Sequence, residues 1–463
     1  MKKYIVLIIG SLLLFSCRDY LDVVPKGYLI PTTVSEYGLL LIGGDNGPNR
    51  TSNEQVLHYS NDNFYLSSTE VGNINNPLNT NYALYAWTDF RYSDPTVPNP
   101  AWNSAYRNIY TFNKIIEEID GAALAAGDTE EQRKKIKAQA YYGRAYEYLF
   151  LVNTFAKHYN ESSAGSDLGV PLVLKADVTQ TLPSRGTVSG VYAQIISDLN
   201  VAIPHLPTDS NLKLLPTKGA GYALLARTNL YKGDYENAKK YAQLALDQNS
   251  TLVDYTDPGF TNDQLSIKIN EQYATHYMNQ PSNGFLSDDA VSIFNEDGTD
   301  QRLAEQFIPN PIIVDGEIVG FRYQMASYDY NFNGTTSVSV PEMFVTLAEA
   351  ESRLGNSGAA IDWLNQLRDK RIIGNEHLTT ADFPNATALT KFCLEERRRE
   401  MIYTNTRLFD LKRENLEPAF AKTTIHKIQG TTDITLTAEA NSRKLILPIP
   451  AQILKFNPRM QQN

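Results

Sequence analysis

GYALLARTNLYKGDYENAKKYAQLALD, residues 221–247, is the stretch that decides the fold. Its apolar side chains recur at helical spacing on both sides of Gly233, as they do on the buried faces of two amphipathic helices. Gly233 opens a Gly-Asp-Tyr turn, where glycine permits a sharp reversal of the chain. Alanine dominates the second half, and small side chains let two helices approach closely. The segment therefore predicts a helical hairpin close to the tetratricopeptide pattern.

Further helical segments flank this hairpin. MFVTLAEAESRLGNSGAAIDWLNQLRDKR, residues 343–371, repeats the pattern around Gly355. Looser copies occupy 102–120 and the split pair 139–159 and 190–206. Such a series exceeds the roughly three repeats that a stable helical stack needs. We therefore predict a mostly α-helical fold built on a tetratricopeptide-like repeat scaffold. The predicted repeat regions are about 101–160, 187–250 and 341–413.

Two long stretches between the repeats, 23–100 and 251–340, have no helical periodicity. They are rich in Asn, Gly, Pro, Asp and Tyr. Excursions of this length inside a compact fold are usually functional or disordered, and their aromatic content argues against disorder. Together with 414–463, they are predicted to form an irregular, loop-rich lobe.

The N-terminus has the layout of a bacterial lipoprotein leader. Two lysines precede the apolar run Tyr4–Phe15, which is shorter than the roughly twenty residues that cross a bilayer. Residues 1–16 are therefore predicted to be a signal peptide. Leu14-Phe15-Ser16-Cys17 resembles the lipobox, which predicts lipidation at Cys17; the alternative is a cysteine that merely lies near an ordinary cleavage site. About two or three acyl chains would anchor residues 17–463, a single predicted domain, stably to a membrane.

The net charge and the cysteine content argue against a nucleic-acid-binding protein and against an intramolecular disulfide. The formal net charge is −10, and a chain with this balance lacks the basic surface that nucleic acid requires. Lipidation of Cys17 would leave Cys393 without a disulfide partner. Cys393 lies in a helical pattern and is predicted to be a small buried apolar residue.

Short motifs along the chain occur in a diagnostic order. They are CRDYLDVVPKG at 17–27, NDNFYL at 61–66, GVPLVL at 169–174, Thr217-Lys218-Gly219, LAEAESRLGN at 347–356, EERRREMIYTNTRLFDLKR at 395–413 and LILPIPAQILKFNPRMQQN at 445–463. In this order they resemble the SusD/RagB outer-membrane lipoproteins over nearly the whole chain. One departure is at 403–405, where a glycine often found in the family is replaced, which we interpret as a loop variation.

The resemblance implies a SusD-like tetratricopeptide scaffold whose irregular lobe faces a ligand. Family members cap a SusC-type TonB-dependent transporter and capture nutrients, most often glycans and sometimes peptides, without catalytic residues. The expected protein is therefore a surface-exposed, lipid-anchored binding protein of the outer membrane that delivers an oligosaccharide or polysaccharide to its transporter. The alternatives are a peptide-binding member of the same family and a tetratricopeptide-type adaptor that bridges proteins.

Motifs for catalysis are missing. The sequence has no GxSxG, HExxH, P-loop or GxGxxG at a strand–helix junction, and its six histidines are scattered. A hydrolase is therefore disfavoured, although a pair of glycosidase carboxylates could be drawn from the 52 acidic residues. Glu395, Glu396 and Glu400 lie among the arginines 397–399, and salt bridges on a solvated helix face would explain them.

A calcium site is disfavoured as well. Asp329–Gly334 matches the first half of an EF-hand loop, but Val340 stands where a bidentate glutamate should be. An Asx-rich turn explains the segment better. No metal or cofactor is predicted.

Sugar recognition stacks aromatic rings on sugar C–H surfaces and hydrogen-bonds the hydroxyls with polar side chains. Candidate ligand-binding segments must lie outside the repeat helices and contain both aromatic and polar side chains. The candidate ligand-binding residues are Trp87, Asp89, Arg91, Tyr92, Tyr273, His276, Tyr277, Tyr328 and Tyr330. The alternative is that these aromatic residues fill the core of the irregular lobe. Trp102 and Trp363 lie on repeat helices and are predicted to be core residues.

Overall fold

The structure is a computed structural model. It describes residues 30–43, 55–72, 76, 80–88, 93–179, 181–210, 214–260, 271–274, 284–294, 297–325, 338–402, 404, 406–429 and 434–463. The predicted lipidation site Cys17 and the Asx-rich segment 329–334 lie outside the described residues.

Helices dominate the described chain. They are α1 (Val34–Ile42), α2 (Gln55–Tyr59), α3 (Ser68–Val71), α4 (Thr80–Tyr85), α5 (Pro100–Glu118), α6 (Glu130–Phe155), α7 (Val188–Ala202), α8 (Lys218–Lys232), α9 (Tyr235–Leu246), α10 (Asp288–Val291), α11 (Gln301–Gln306), α12 (Val340–Arg353), α13 (Ser357–Arg368), α14 (Ala386–Glu400), α15 (Arg407–Glu414) and α16 (Ala451–Phe456). Consecutive long helices pack on one another from α5 to α9, and the stack continues through α12 to α13 and α14. This arrangement confirms the predicted tetratricopeptide-like scaffold.

The α8–α9 hairpin forms where the sequence predicts it. Gly233 ends α8 in the left-handed region with φ of 75°, a conformation that glycine adopts without steric cost. The side chain of Asp234 accepts a hydrogen bond from the backbone N–H of Asn237 and so caps α9. Ala238 and Ala242 are fully buried in the interface between the helices.

Helix α6 is longer than the predicted segment 139–159, because it begins at Glu130. From Gln139 to its end almost every residue is buried. The first two turns, from Glu130 to Lys137, instead carry mostly charged side chains that are exposed or half-buried. They contain few apolar residues, so periodicity is a weak guide to where the helix begins.

The stretches predicted to be irregular contain a sheet that the sequence analysis did not predict. The strands described along the whole chain are β1 (Phe64–Ser67), β2 (Leu168–Pro171), β3 (Arg185–Thr187), β4 (Gln272–Ala274), β5 (Phe285–Leu286), β6 (Phe307–Val314), β7 (Glu317–Met325), β8 (Val338–Ser339), β9 (Thr424–Gln429) and β10 (Ile434–Ala438). β2 pairs with β3, and β4 pairs with β8, outside this sheet. Six of the described strands form one sheet in the order β10-β9-β1-β5-β7-β6. The β1–β9 pair is parallel, whereas the other neighbours are antiparallel. Its strands come from all three regions assigned to the irregular lobe.

Several residue-level predictions about the core are confirmed. Trp102 is 2% exposed and Cys393 is fully buried as a free thiol. Trp363 is half-buried and packs edge-on against Phe344. None of the described helices has the length and hydrophobicity needed to cross a membrane.

The charged run on α14 corrects the sequence analysis. Arg397, Arg398 and Arg399 are all buried, and so is Glu396. Arg397 pairs with both Glu342 of α12 and Asp410 of α15. The predicted salt bridges exist, but they lie between packed elements rather than on a solvated helix face.

Candidate functional site

Of the predicted ligand-binding residues, the structure describes Trp87 and Tyr273. The others lie outside the described residues: Asp89, Arg91, Tyr92, His276, Tyr277, Tyr328 and Tyr330. Their assignment to the ligand stays a prediction. The residues that flank these segments show where each segment is anchored.

Trp87 lies in the main hydrophobic core and is 3% exposed. Its indole stacks on the imidazole of His426 with ring centroids 3.9 Å apart, and the Tyr85 ring stacks on the same imidazole at 4.1 Å. The imidazole therefore lies between the two aromatic rings. The structure thus favours a core residue, the alternative given above for Trp87, over a stacking platform for a ligand.

The backbone explains why Trp87 is held there. Its φ is 52°, in the left-handed region, at the end of α4, where the backbone N–H of Thr88 donates to the carbonyl of Ala83. Helix ends of this kind prefer glycine, and a bulky residue adopts the conformation only when packing compensates for the strain. The stacking of Trp87 on His426 supplies such packing.

The end of α4 is tied to the six-stranded sheet. The hydroxyl of Tyr85 accepts from the backbone N–H of Leu66 on β1 at 3.1 Å and donates to the carbonyl of Lys427 on β9 at 2.9 Å. His426 contacts the Tyr85 carbonyl at 2.7 Å through Nδ1 and the Asn61 carbonyl at 2.6 Å through Nε2. The segment 89–92 therefore leaves the described fold from a rigid position beside the sheet.

The other two candidate segments are anchored at a common pair of ladders. Residues 275–283 connect β4 to β5, and residues 326–337 connect β7 to β8. β4 pairs with β8, and β5 pairs with β7. Both segments therefore start and finish at neighbouring points, although the sequence separates them widely.

A polar cavity lies beside Tyr273. Its volume is about 370 Å³. It is lined by Thr208, Asp209, Thr217, Gln248, Asn249, Thr251, Gln272 and Tyr273. Amides and hydroxyls can both donate and accept hydrogen bonds, as sugar hydroxyls require. Oε1 of Gln272 is buried without a hydrogen-bond partner among the described residues.

Tyr273 forms a wall of this cavity and is 2% exposed. Its hydroxyl donates to the carbonyl of Asn249 at 2.5 Å, and Thr217 Oγ1 donates to the Tyr273 carbonyl at 3.3 Å. A side chain on Gly219 would place its Cβ 2.6 Å from the Tyr273 ring, so glycine permits this close approach. Tyr273 therefore shapes the cavity rather than offering a free ring face.

Asp62, just before β1, fixes the start of the six-stranded sheet through buried ion pairs that the sequence did not predict. It is 4% exposed and forms ion pairs with Arg398, Arg407 and Lys422. Burial alone would raise the pKa of Asp62, but these three cations outweigh burial and hold it well below its usual value. Asp62 lies in the NDNFYL motif quoted above. Its ion-pair partners are distant in the sequence, so the motif alone could not reveal the ion pairs.

Three buried carboxylates at the centre of the scaffold are ion-paired, which makes them poorly suited to acid–base catalysis. Glu342 pairs with Arg227, Glu349 with Arg413 and Asp410 with Arg397. Among the described residues, no group of three or more His, Cys, Asp or Glu side chains could hold a metal ion. The geometry of the described residues is suited to binding by hydrogen bonds and shape.

Two family models match the chain in separate segments. A family described as starch-binding and associating with the outer membrane matches residues 19–230, and the SusD family model matches residues 340–463. SusD-like protein P2 of Formosa agariphila is 24% identical, over 78% of this chain and 79% of that protein.

Solved structures share the fold. A SusD superfamily protein of Bacteroides thetaiotaomicron superposes with a TM-score of 0.71 and 20% identity, covering 93% of this chain and 99% of the other. A SusD-like carbohydrate binding protein of Bacteroides vulgatus gives a TM-score of 0.68 and 19% identity, covering 92% and 97% of the two chains.

Proposed function

The chain belongs to the SusD/RagB family, and from that premise we propose that it captures a glycan at the outer membrane and passes it to a TonB-dependent transporter. The glycan is an oligosaccharide or polysaccharide, and the protein acts by binding rather than by catalysis. The family description as starch-binding and associating with the outer membrane supports the capture of a glycan and the location at the outer membrane.

The observation that carries the proposal is the common anchoring of the candidate segments. The segment 89–92 follows α4, whose end is hydrogen-bonded to the six-stranded sheet, and the segments 275–283 and 326–337 each connect that sheet with the β4–β8 ladder. We propose that these segments form one ligand site, in which Arg91, Tyr277 and Tyr328 supply the mixture of aromatic and polar groups that sugar recognition uses. The amide-lined cavity beside Tyr273 would add hydrogen bonds to sugar hydroxyls.

The proposed attachment to the membrane is a lipid on Cys17, with the protein surface-exposed. Replacing Cys17 by Ala should abolish lipid labelling and release the protein into the soluble fraction. Persistent attachment in cells that lack the transporter would contradict this part of the proposal.

The proposed docking element for the transporter is the β6–β7 hairpin at the edge of the sheet. It carries six apolar side chains that are at least 45% exposed: Ile308, Ile313, Val314, Ile318, Val319 and Phe321. Exposed apolar clusters of this kind mark interaction sites. A lasting complex would be expected to bury more than roughly 2,000 Å².

Binding assays test the ligand assignment. The protein should bind members of a panel of neutral oligosaccharides by calorimetric titration, leave them uncleaved in product analysis, and bind peptides of similar size far more weakly. The double variant Tyr277→Ala/Tyr328→Ala should lose at least about tenfold in affinity. Tyr110→Ala is the matched control, because Tyr110 is 37% exposed on the scaffold helix α5.

Each alternative makes a different prediction for the same assays. Peptide binding without glycan binding would favour a peptide-binding member of the family. A protein that binds neither ligand yet captures a soluble partner would favour the tetratricopeptide adaptor. Cleaved oligosaccharide would contradict a pure binding protein.

A further inference from the structure

A second cavity, of about 570 Å³, opens at the C-terminal end of α6. Its walls come from the segment that follows α6, from α15, and from residues 441–446 and 462–463. Of the predicted ligand-binding residues that the structure describes, neither Trp87 nor Tyr273 lines it, and its described lining residues do not overlap with those of the cavity beside Tyr273. Its volume lies within the range of sites that bind small molecules.

Two buried cations line this cavity, Lys412 at 5% exposure and Arg185 at 8%. Nζ of Lys412 donates to the backbone carbonyls of Asn153 and Ala156, the latter at 2.7 Å. Arg185 donates from Nη2 to the Phe155 carbonyl at 3.4 Å and to further carbonyls of its surroundings. Both cations therefore lie at the negative end of the α6 dipole.

Lys412 and Arg185 differ from the other described buried arginines in their hydrogen-bond partners. Among the described residues, every other buried arginine forms an ion pair with a carboxylate: Arg144, Arg227, Arg302, Arg371, Arg397, Arg398, Arg399, Arg407 and Arg413. Within the same described ranges, Lys412 and Arg185 form no such pair. A helix C-terminus supplies only about half an elementary charge, so the positive charge of two cations is not balanced.

Two further buried side chains on the cavity wall have polar atoms without partners. Nε2 of His158 lies 2.8 Å from the Tyr231 carbonyl, which can only accept, so Nε2 carries the proton and Nδ1 is an acceptor. That Nδ1 and the Nδ2 donor of Asn415 lack partners among the described residues. His158 is 6% exposed and Asn415 is 2% exposed.

The remaining charged groups of the cavity do not neutralise it. Asp167 is already engaged by Nζ of Lys157 and by Ser163 Oγ, both at 2.6 Å. Arg443 is exposed at the rim and adds another positive charge. Burial lowers the pKa of Lys412 to about 7, which is the expected behaviour of a buried ammonium group without a counter-ion, so Lys412 is fully charged only below about pH 7.

We propose that this cavity binds a sugar that carries an anionic group, a carboxylate or a sulfate ester. Oxygens of the anionic group would accept hydrogen bonds from the remaining N–H groups of Lys412 and Asn415. A sugar hydroxyl would donate to Nδ1 of His158. Among the described residues, this site shares no lining residue with the cavity beside Tyr273, and its assignment does not depend on the proposed glycan capture.

Isothermal titration with small probes tests the site. The probes are glucuronate and glucose 6-sulfate, with glucose as the neutral control and inorganic sulfate as the control for the anion alone. The two sugar anions should bind with at least about tenfold higher affinity than glucose. Equal affinity for glucose and glucuronate would overturn the anionic assignment, and sulfate binding as tightly as the sugar anions would overturn the assignment of a sugar.

Variants locate the binding within the cavity. Asn415→Asp keeps the Oδ1 that accepts from the backbone N–H of Lys422, but it replaces the free donor by a negative charge and should abolish binding. Lys412→Met should lower the affinity for glucuronate by at least about tenfold. Arg443→Gln tests the rim without disturbing a buried group and should weaken binding moderately. Lys391→Met is the charge-matched control, since Lys391 is 67% exposed and lies outside the cavity.

Melting curves of each variant establish that it is folded before its affinity is compared. Glucuronate affinity that is unchanged in Asn415→Asp and in Arg443→Gln would place the ligand elsewhere and overturn the proposal. Loss of neutral-glycan binding in Tyr277→Ala/Tyr328→Ala, with glucuronate binding retained, would show that the two sites are independent.

Discussion

The guanidinium of Arg407 grips the carboxylate of Asp62 with Nε at 2.7 Å from Oδ1 and Nη2 at 3.2 Å from Oδ2. The two residues are 345 positions apart, so this bidentate contact fastens the beginning of the sheet to α15. Arg398 of α14 reaches the same carboxylate and also donates to the Asn63 side chain. Asp62 is therefore one of the points at which the helical scaffold and the irregular lobe are joined, together with pairs such as Arg371–Glu271.

Asp62→Asn should destabilise the protein by about 3–5 kcal/mol, because it leaves buried cations without their counter-charge. Urea unfolding measures the change. Asp120→Asn is the control, since Asp120 is 64% exposed in its pair with Lys137, and an exposed pair is worth about 1 kcal/mol or less. Equal losses in the two variants would contradict the joining role of Asp62.

His58 should make stability depend on pH. It is 1% exposed, and burial is the main reason that its pKa is lowered to about 3, with His426 adding to the effect. The unfolded chain takes up a proton at His58 below about pH 6.5, whereas the folded chain does not. This contribution to stability is therefore complete above about pH 6.5 and is lost as the pH falls towards the folded value, by about 1.4 kcal/mol per pH unit.

His58→Leu should flatten the decline in unfolding free energy between about pH 6 and pH 4. Both ring nitrogens of His58 lack partners among the described residues, so an apolar replacement removes no hydrogen bond that those residues supply. His158 should still contribute, since burial lowers its pKa to about 3 as well. His205→Leu, at an exposed position, serves as the control. A variant at His58 with the wild-type pH profile would show that this histidine does not titrate on unfolding.

Trp87→Ala should cost about 3–5 kcal/mol of folding stability, as removal of a buried aromatic side chain does. A thermal melt and a glycan titration on the same sample separate the two roles of the indole. We expect a clearly lower melting temperature and an affinity that is little changed at temperatures where the variant is folded. An unchanged melt with lost binding would restore Trp87 to the ligand platform.

The sequence predicted the helical scaffold because its evidence is local. Periodicity and Gly233 lie within one short stretch, so α8 and α9 could be recognised directly. In the sheet, only the Asp315-Gly316 turn between β6 and β7 is a comparable local signal, and it did not enter the prediction; the other described strands gave none. β5 contains only Phe285 and Leu286, and β1 pairs in parallel with β9, where Leu66 lies opposite Ile428. Because these strands are short and pair with segments that are distant in the sequence, they show no alternating pattern of apolar and polar residues that could be recognised.

The burial of charged side chains could not be predicted from the sequence either. A run of arginines is typical of a solvated surface, and only the positions of Glu342 and Asp410 on other helices show that Arg397 is buried and paired. Lys412 and Arg185 gave no signal at all, because their partners are backbone carbonyls. The position of Trp87 likewise depends on His426, which the sequence places far away.

The β6–β7 hairpin is the feature that best tests docking to a transporter. Asp315 and Gly316 form its turn with φ of 52° and 87°, as a two-residue turn of type I′ requires. Ile313 and Val319 flank this turn, and each is 61% exposed. Side chains this exposed contribute little to the fold of the isolated chain, but each would contribute about 1.5–3 kcal/mol if a partner buried it.

The double variant Ile313→Asp/Val319→Asp should therefore keep the wild-type melting temperature and lose the transporter. The measurement is co-purification of a tagged protein with its dominant outer-membrane partner in mild detergent. Two buried apolar contacts replaced by charges should weaken the complex by about 3 kcal/mol or more, roughly a hundredfold in affinity. Ile373→Asp is the matched control, because Ile373 is 52% exposed but lies outside the hairpin. If the double variant retains the transporter as well as the control does, the hairpin is not the docking element, and the contact must lie on another surface of the protein.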